Sequence, residues 1–258
     1  MPSTNLLLSL LLTTLIPLTT AFPIPLLHPR QSVATLCSET GYWSGSGYEV
    51  NNNNWGASSA TSGSQCTYVD SASSSSGVAW HTTWTWEGGE TDVKSFAYSG
   101  LQVERGHTIA AIGGLETEVK WAYNTTEGVR ANVAYDSFTD EDPERETTGG
   151  DYELMLWLAK YGDIQPIGST DASATLAGHD WDYYVGNKSD GMRVYSFVAI
   201  SQIDSFSGDI KEFFDYVTDH DGFPAETQNL IVFDFGSEAF TGGPTELTVS
   251  SFTASMDT

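Results

Sequence analysis

The chain has 258 residues, 40% of them hydrophobic and 12% aromatic, enough for one sizeable domain. Its 10 Lys and Arg stand against 34 Asp and Glu, a formal charge of −24. That balance repels phosphate backbones and anionic lipid, so neither nucleic acid nor a membrane is an expected partner.

In chain order, the first segment, MPSTNLLLSLLLTTLIPLTTAFPIP, is apolar from Leu6 to Leu18 and then turns to small residues. It is too short to span a bilayer and reads as a secretory signal, residues 1–21, ahead of a short pro-segment over 22–31. A single domain over 32–258 and an extracellular location are therefore expected. In an oxidising compartment the two cysteines, Cys37 and Cys66, read most economically as one disulfide. The sequons at Asn124 and Asn187 are glycosylation candidates in such a protein. SASSSSG (71–77) reads as a surface loop between strands.

Strand patterns recur at 78–86, 117–123, 129–138, 152–159, 182–186, 192–200, 229–240 and 245–256, bounded by Gly, Asn, Asp and Ser. Helical period occurs over 208–222, where Ile210, Phe213, Phe214 and Val217 share a face, Ser207 is placed as N-cap and Gly222 as stop. Many strands with one helix predict an all-β jelly roll: two packed, curved antiparallel sheets, the helix outside, and an aromatic-lined open groove.

Within DYELMLWL (151–158), strand alternation puts Leu154, Leu156 and Leu158 on one face and Asp151, Glu153, Met155 and Trp157 on the other. An ionised carboxylate is costly to bury alone, so the second face suits a sugar-binding surface better than a core. Glycosidic hydrolysis uses two carboxyls across the bond. The best partner is in FDFGSEAF (233–240), where alternation aligns Asp234, Gly236, Glu238 and Phe240, with Gly236 expected to leave room for a ligand.

YELMLWLAKYGDIQPIG (152–168) and FGSEAFTG (235–242) resemble the two signature regions of glycoside hydrolase family 12. The similarity continues through NNNNWGA (51–57), AWHTTWTWEGG (79–89), VKSF (93–96), RANVAYDSFT (130–139), VYSFVA (194–199) and FSGDIKEFFDY (206–216), in the family's order. The resemblance implies a jelly-roll endo-β-1,4-glucanase acting by retaining double displacement, with carboxyls about 5–5.5 Å apart. It implies Glu153 as nucleophile, Glu238 as acid/base and Asp136 as the acid that assists the nucleophile. Trp55, Met155, Trp157 and Phe240 match sugar-contacting or groove-floor positions, Asn132 on the face of Asp136 is expected to bind a hydroxyl, and Asp234 lines the same groove.

Ser237 and Ala239 stand where the family commonly has Thr and Pro, and Thr40 stands where it commonly has an aromatic, with Tyr42 and Trp43 just beyond. Asp234 is a Gln in many plain glucanases and an acid in xyloglucan-specific members, whereas KYGDIQPIG resembles the plain glucanases. The expected substrate is a soluble or amorphous β-glucan, with xyloglucan as the alternative. A non-catalytic glycan-binding or host-interaction protein is the reading of another class, disfavoured by both glutamates being present. No cofactor or metal is expected, since the five histidines lack ligand spacing, and a monomer is expected.

Overall fold

The computed structural model describes residues 32–258 except 147, 148 and the side chain of 171. The signal and pro-segment readings, 1–21 and 22–31, lie outside the described residues. Fourteen strands and one α-helix follow: β1 (Ala34–Leu36), β2 (Tyr42–Gly45), β3 (Tyr48–Asn51), β4 (Ser62–Ser73), β5 (Gly77–Glu87), β6 (Ser95–Leu101), β7 (Gly114–Tyr123), β8 (Arg130–Asp140), β9 (Tyr152–Tyr161), β10 (Ser169–Leu176), β11 (His179–Asn187), β12 (Arg193–Ala199), β13 (Ser205–Asp209), α1 (Lys211–Asp221) and β14 (Asn229–Asp257).

They form a jelly roll. One layer runs β1-β4-β5-β14-β7-β13; the other runs β2-β3-β6-β14-β8-β9-β12-β11-β10. The sequence reads two strands at 229–240 and 245–256, but β14 is one continuous strand of 29 residues serving both layers. Its first half pairs with β6 and β8, its second with β5 and β7, and register shifts near Gly242 carry it from one layer to the other. Pairing is antiparallel except between β9 and β12, which run parallel. The chain leaves β9, forms the β10–β11 hairpin at the sheet edge and returns in β12, the long connection a parallel pair needs. The Ser-rich stretch is shorter as a loop than expected: β4 runs to Ser73, and the chain resumes as strand at Gly77.

Alternation sorts the core as the sequence implies. Leu154, Leu156 and Leu158 of β9 join Val133 and Tyr135 of β8, Phe233 and Phe235 of β14 and Trp80 of β5 in the apolar layer between the sheets. Met155 and Trp157 belong instead to a smaller cluster on the other face, with Ala134, Ile164, Val198 and Phe240. The helix buries Phe213, Phe214 and Val217 and ends at Gly222, as expected, but it begins later than the pattern suggests. Ser207 lies in β13 and is not its cap; the N-cap is Ile210, and Asp209 Oδ1 accepts from the Lys211 amide at 2.8 Å. Cys37 and Cys66 are joined by a disulfide that ties the N-terminal segment to β4. No helix among the described residues is long and apolar enough to cross a membrane.

Candidate active site

The site is built on three strands, β9, β8 and β14, on the face of the larger sheet turned away from the leucine core. Register aligns Glu153 with Phe138 and Met155 with Asp136 across β9 and β8, and Asp136 with Asp234 across β8 and β14. The Glu153 side chain is buried to within 4% of full cover, Asp136 to 8% and Asp234 to 6%. Three carboxyls that close to one sheet face cannot all carry full charge cheaply.

Burial raises each of them, and their neighbours differ. Burial first, then the charge of Glu153, holds the Asp136 carboxyl well above the ordinary carboxylate range. Burial also raises Glu153, but the Lys188 ammonium and a hydrogen bond from Asp136 favour its ionised form. Lys188 Nζ lies 2.7 Å from Glu153 Oε2. Burial, then the charge of Glu153, pushes the Glu238 carboxyl up to about 7, against the hydrogen bond from Asn132 and the charge of Lys188. The face therefore offers one carboxyl that keeps its proton in mild acid and another with a cation held against it, the pairing that acid-assisted nucleophilic chemistry needs.

Glu238 is positioned through β8. The Asn132 amide donates from Nδ2 to Glu238 Oε2, and its Oδ1 accepts from the Glu238 backbone N–H at 2.9 Å. Asn132, expected from the sequence to meet a sugar hydroxyl, is fully buried and engaged by Glu238 on both sides of its amide. The Ser237 hydroxyl, retained where the family commonly has Thr, donates to the Asn132 carbonyl at 2.5 Å and pairs with Tyr123 Oη at 2.7 Å. Ala239, in the place of the usual Pro, is fixed instead by backbone pairing, its carbonyl accepting from the Lys94 N–H at 2.8 Å. Phe240 lies in the apolar cluster with Met155 and Trp157, so those three aromatic and thioether groups do meet.

The expectation that Gly236 leaves room for a ligand is corrected by the packing. A Cβ there would lie 2.1 Å from the Ala97 carbonyl oxygen, so the glycine accommodates β6. Gly100 plays the matching part opposite Asp234: a Cβ at Gly100 would lie 2.1 Å from Asp234 Oδ1. Asp234 thus lies across Gly100 toward Glu49, whose Oε2 accepts from Tyr42 Oη at 2.8 Å. Burial and the Glu49 charge raise the Asp234 carboxyl well above its usual range.

Trp55 is 57% exposed and Tyr42 50%, whereas Trp43 packs partly against the core, so Tyr42 is the aromatic presented near Thr40. Trp55 is fixed from behind: the next residue, Gly56, donates to the Lys94 carbonyl at 3.0 Å, and Lys94 in turn donates to Ala239. Lys94 is fully buried, its Nζ bonded to the Gly89 and Asp92 carbonyls at 2.6 and 2.7 Å. Lys94 and Lys188 are the site residues that sequence reasoning misses. Lys94 falls in the family-like VKSF segment and Lys188 in the Asn187 sequon, but neither signal marks the lysine itself; only the scarcity of cations beside so many acids could have drawn attention to them. The sequon residues Asn124 and Asn187 are both exposed.

A jelly roll carrying paired carboxyls on an aromatic sheet face is the frame of a carbohydrate-active enzyme. The profile of glycosyl hydrolase family 12 matches residues 46–257. Endoglucanase A of Aspergillus kawachii is 47% identical over 226 residues, covering 86% of this chain and 93% of its own. Xyloglucan-specific endo-beta-1,4-glucanase A of Aspergillus niger is 44% identical over 209 residues, covering 80% and 84% respectively. The catalytic domain of Humicola grisea Cel12A, solved with a soaked thio cellotetraose, is 49% identical and superposes with a TM-score of 0.84 over 87% of this chain and 99% of that one. This chain belongs to glycosyl hydrolase family 12 and is a glycoside hydrolase.

Proposed function

We propose that the protein is a secreted endo-β-1,4-glucanase that cuts internal bonds of soluble or amorphous β-glucans with retention of configuration. Glu153 attacks the anomeric carbon to form a glycosyl ester while Glu238 protonates the departing oxygen. Glu238 then takes a proton from the water that releases the sugar. Asp136, neutral beside Glu153, donates to it and so keeps one negative charge where two would repel. The observation that carries the reading is the pair of glutamates on one sheet face with different partners: Glu153 with Lys188 Nζ at 2.7 Å, and Glu238 held by both ends of the Asn132 amide. Trp55 offers an exposed indole for the face of a glucosyl ring, and Met155, Trp157 and Phe240 floor the groove. The protein works as a monomer, after loss of residues 1–21 and trimming of 22–31, as a single domain over 32–258, and carries glycans at Asn124 and Asn187.

Xyloglucan is the second reading, favoured by the buried acid at Asp234 beside Glu49. Release of reducing ends from carboxymethylcellulose, mixed-linkage β-glucan and xyloglucan ranks the substrates, and the anomer first formed tests retention. Glu153→Gln and Glu238→Gln are each expected to abolish hydrolysis while glucan binding is kept. A wild type that binds glucan yet releases no reducing ends anywhere between about pH 3 and pH 7 would make the protein a lectin.

A further inference from the structure

The cation at Glu153 comes from outside the strands that carry the carboxyls. Lys188 opens the turn between β11 and β12, and β12 lies parallel beside β9 with Val194 opposite Glu153. The turn is closed by its own backbone: the Lys188 N–H donates to the Met192 carbonyl at 2.9 Å and the Gly191 N–H to the Lys188 carbonyl at 3.0 Å. Asp190 Oδ1 accepts from the Met192 N–H at 3.1 Å, and the Met192 side chain is buried. From this base the lysine reaches past β12 to Glu153 Oε2 at 2.7 Å, with its ammonium also 5.3 Å from the centroid of Phe138, the residue paired with Glu153 on β8. A carboxylate on one side and a ring face on the other fix a side chain that is only one-third exposed.

We propose that Lys188 is a positioning residue for the nucleophile, holding one oxygen of the Glu153 carboxylate so that the other is presented to the anomeric carbon. The inference rests on the role given to Glu153 above. As the new C–O bond forms, the glycosidic C–O bond breaks and the leaving oxygen takes the Glu238 proton; the oxygen on Lys188 becomes the ester carbonyl. When water attacks, its proton passes to Glu238, the ester C–O bond breaks, and the electron pair returns to a carboxylate paired again with Lys188. The ammonium therefore steadies Glu153 as nucleophile and, in the second half, as leaving group.

Glu153 is faced by Asp136 from β8, by Lys188 and Asp190 from the turn and by Glu238 from β14, while Asp234 acts on Asp136. Lys188 is the cation among them, so its removal leaves only burial and like charges acting against ionisation, apart from the Asp136 hydrogen bond. The test compares wild type, Lys188→Met and Lys188→Arg in kcat/KM against pH on a soluble β-glucan, with near-ultraviolet circular dichroism as the check on folding. In Lys188→Met the acid limb is expected to move up by about one pH unit or more, the effect of losing an opposite charge in contact, while Lys188→Arg restores it toward wild type. An acid limb that coincides with wild type in Lys188→Met, whatever happens to the rate, overturns the proposal and leaves Lys188 as turn packing. Direct carbon NMR titration of labelled glutamates, with the Glu153 signal assigned by its loss in Glu153→Gln, reads the same shift without turnover. If wild type hydrolyses no glucan, the functional reading has failed, and the titration alone decides whether Lys188 governs Glu153.

Discussion

Asn132→Ala separates two accounts of one buried amide. The substitution removes the Nδ2 donor to Glu238 Oε2 and the Oδ1 acceptor of the Glu238 N–H. A hydrogen bond to an ionisable carboxyl contributes about 1.5–3 kcal/mol, and a buried N–H left unpaired costs about 1–3 kcal/mol. A loss of roughly 2–4 kcal/mol in stability follows, a fall in Tm of about 5–15 °C for a chain of this size. The rate should fall about 10- to 100-fold, since an acid displaced by an ångström loses its line to the leaving oxygen. The pH profile is the sharper reading. Asn132 favours the ionised form of Glu238, whose carboxyl lies at about 7. Without it the carboxyl rises further, and the basic limb of kcat/KM should move up by roughly one unit. Steady-state kinetics on mixed-linkage β-glucan across the basic limb, with a thermal melt on the same samples, make the measurement. If Asn132 acts only as a ligand for a sugar hydroxyl, KM rises while the basic limb stays in place, and that result would refute the positioning argument.

Further outcomes follow from the same geometry. The Cys37–Cys66 disulfide closes a segment with a sequence separation of 29. Replacing both cysteines by Ser should cost about 3–4 kcal/mol by loop entropy and lower Tm by roughly 10 °C, measured by differential scanning calorimetry. Asp234 has a folded-state carboxyl raised by burial and by Glu49, so the stability it contributes is present below its unfolded pKa and is lost as pH rises through the folded one. Asp234→Asn should therefore flatten the fall in Tm between acid and neutral pH; an unchanged slope means the carboxyl is not buried as described. Trp55→Ala removes an indole that is 57% exposed, and it should raise KM roughly tenfold, about 1.4 kcal/mol of binding, with little change in kcat. Unchanged KM and kcat would place Trp55 outside the substrate path.

What the sequence reveals about this site is what depends on neighbours along the chain. Alternation is local, so the leucine and carboxyl faces of β9 can be separated from eight letters, and the packing follows that division. The same logic sets Asp234, Glu238 and Phe240 apart from the core residues Phe233 and Phe235 on β14. It fails at Gly236, because what approaches a glycine depends on the strand beside it, here β6. It divides β14 in two, because Gly242, Gly243 and Pro244 read as punctuation while the chain carries on through them by register shifts. The helix start is misplaced for a related reason: Ser207 has the chemistry of a cap, but pairing with Glu118 of β7 keeps it in β13.

The charge balance of the site is legible least of all. Whether Glu153 is an ionised nucleophile depends on Lys188, 35 positions away in a turn whose only local signal is a sequon. How Glu238 is held, and how far its carboxyl is raised, depends on Asn132, 106 residues earlier on the neighbouring strand, whose hydrogen bond favours the ionised form. A motif can nominate two glutamates, but burial alone would raise both carboxyls and leave them alike. The lysine in contact with Glu153 favours its ionised form, and the Glu153 charge in turn raises Glu238, a rise that the Asn132 amide moderates; all three contacts are delivered by tertiary structure. It follows that exchanging Lys188 or Asn132 should redraw the pH profile while every residue of the two signature strands is left intact.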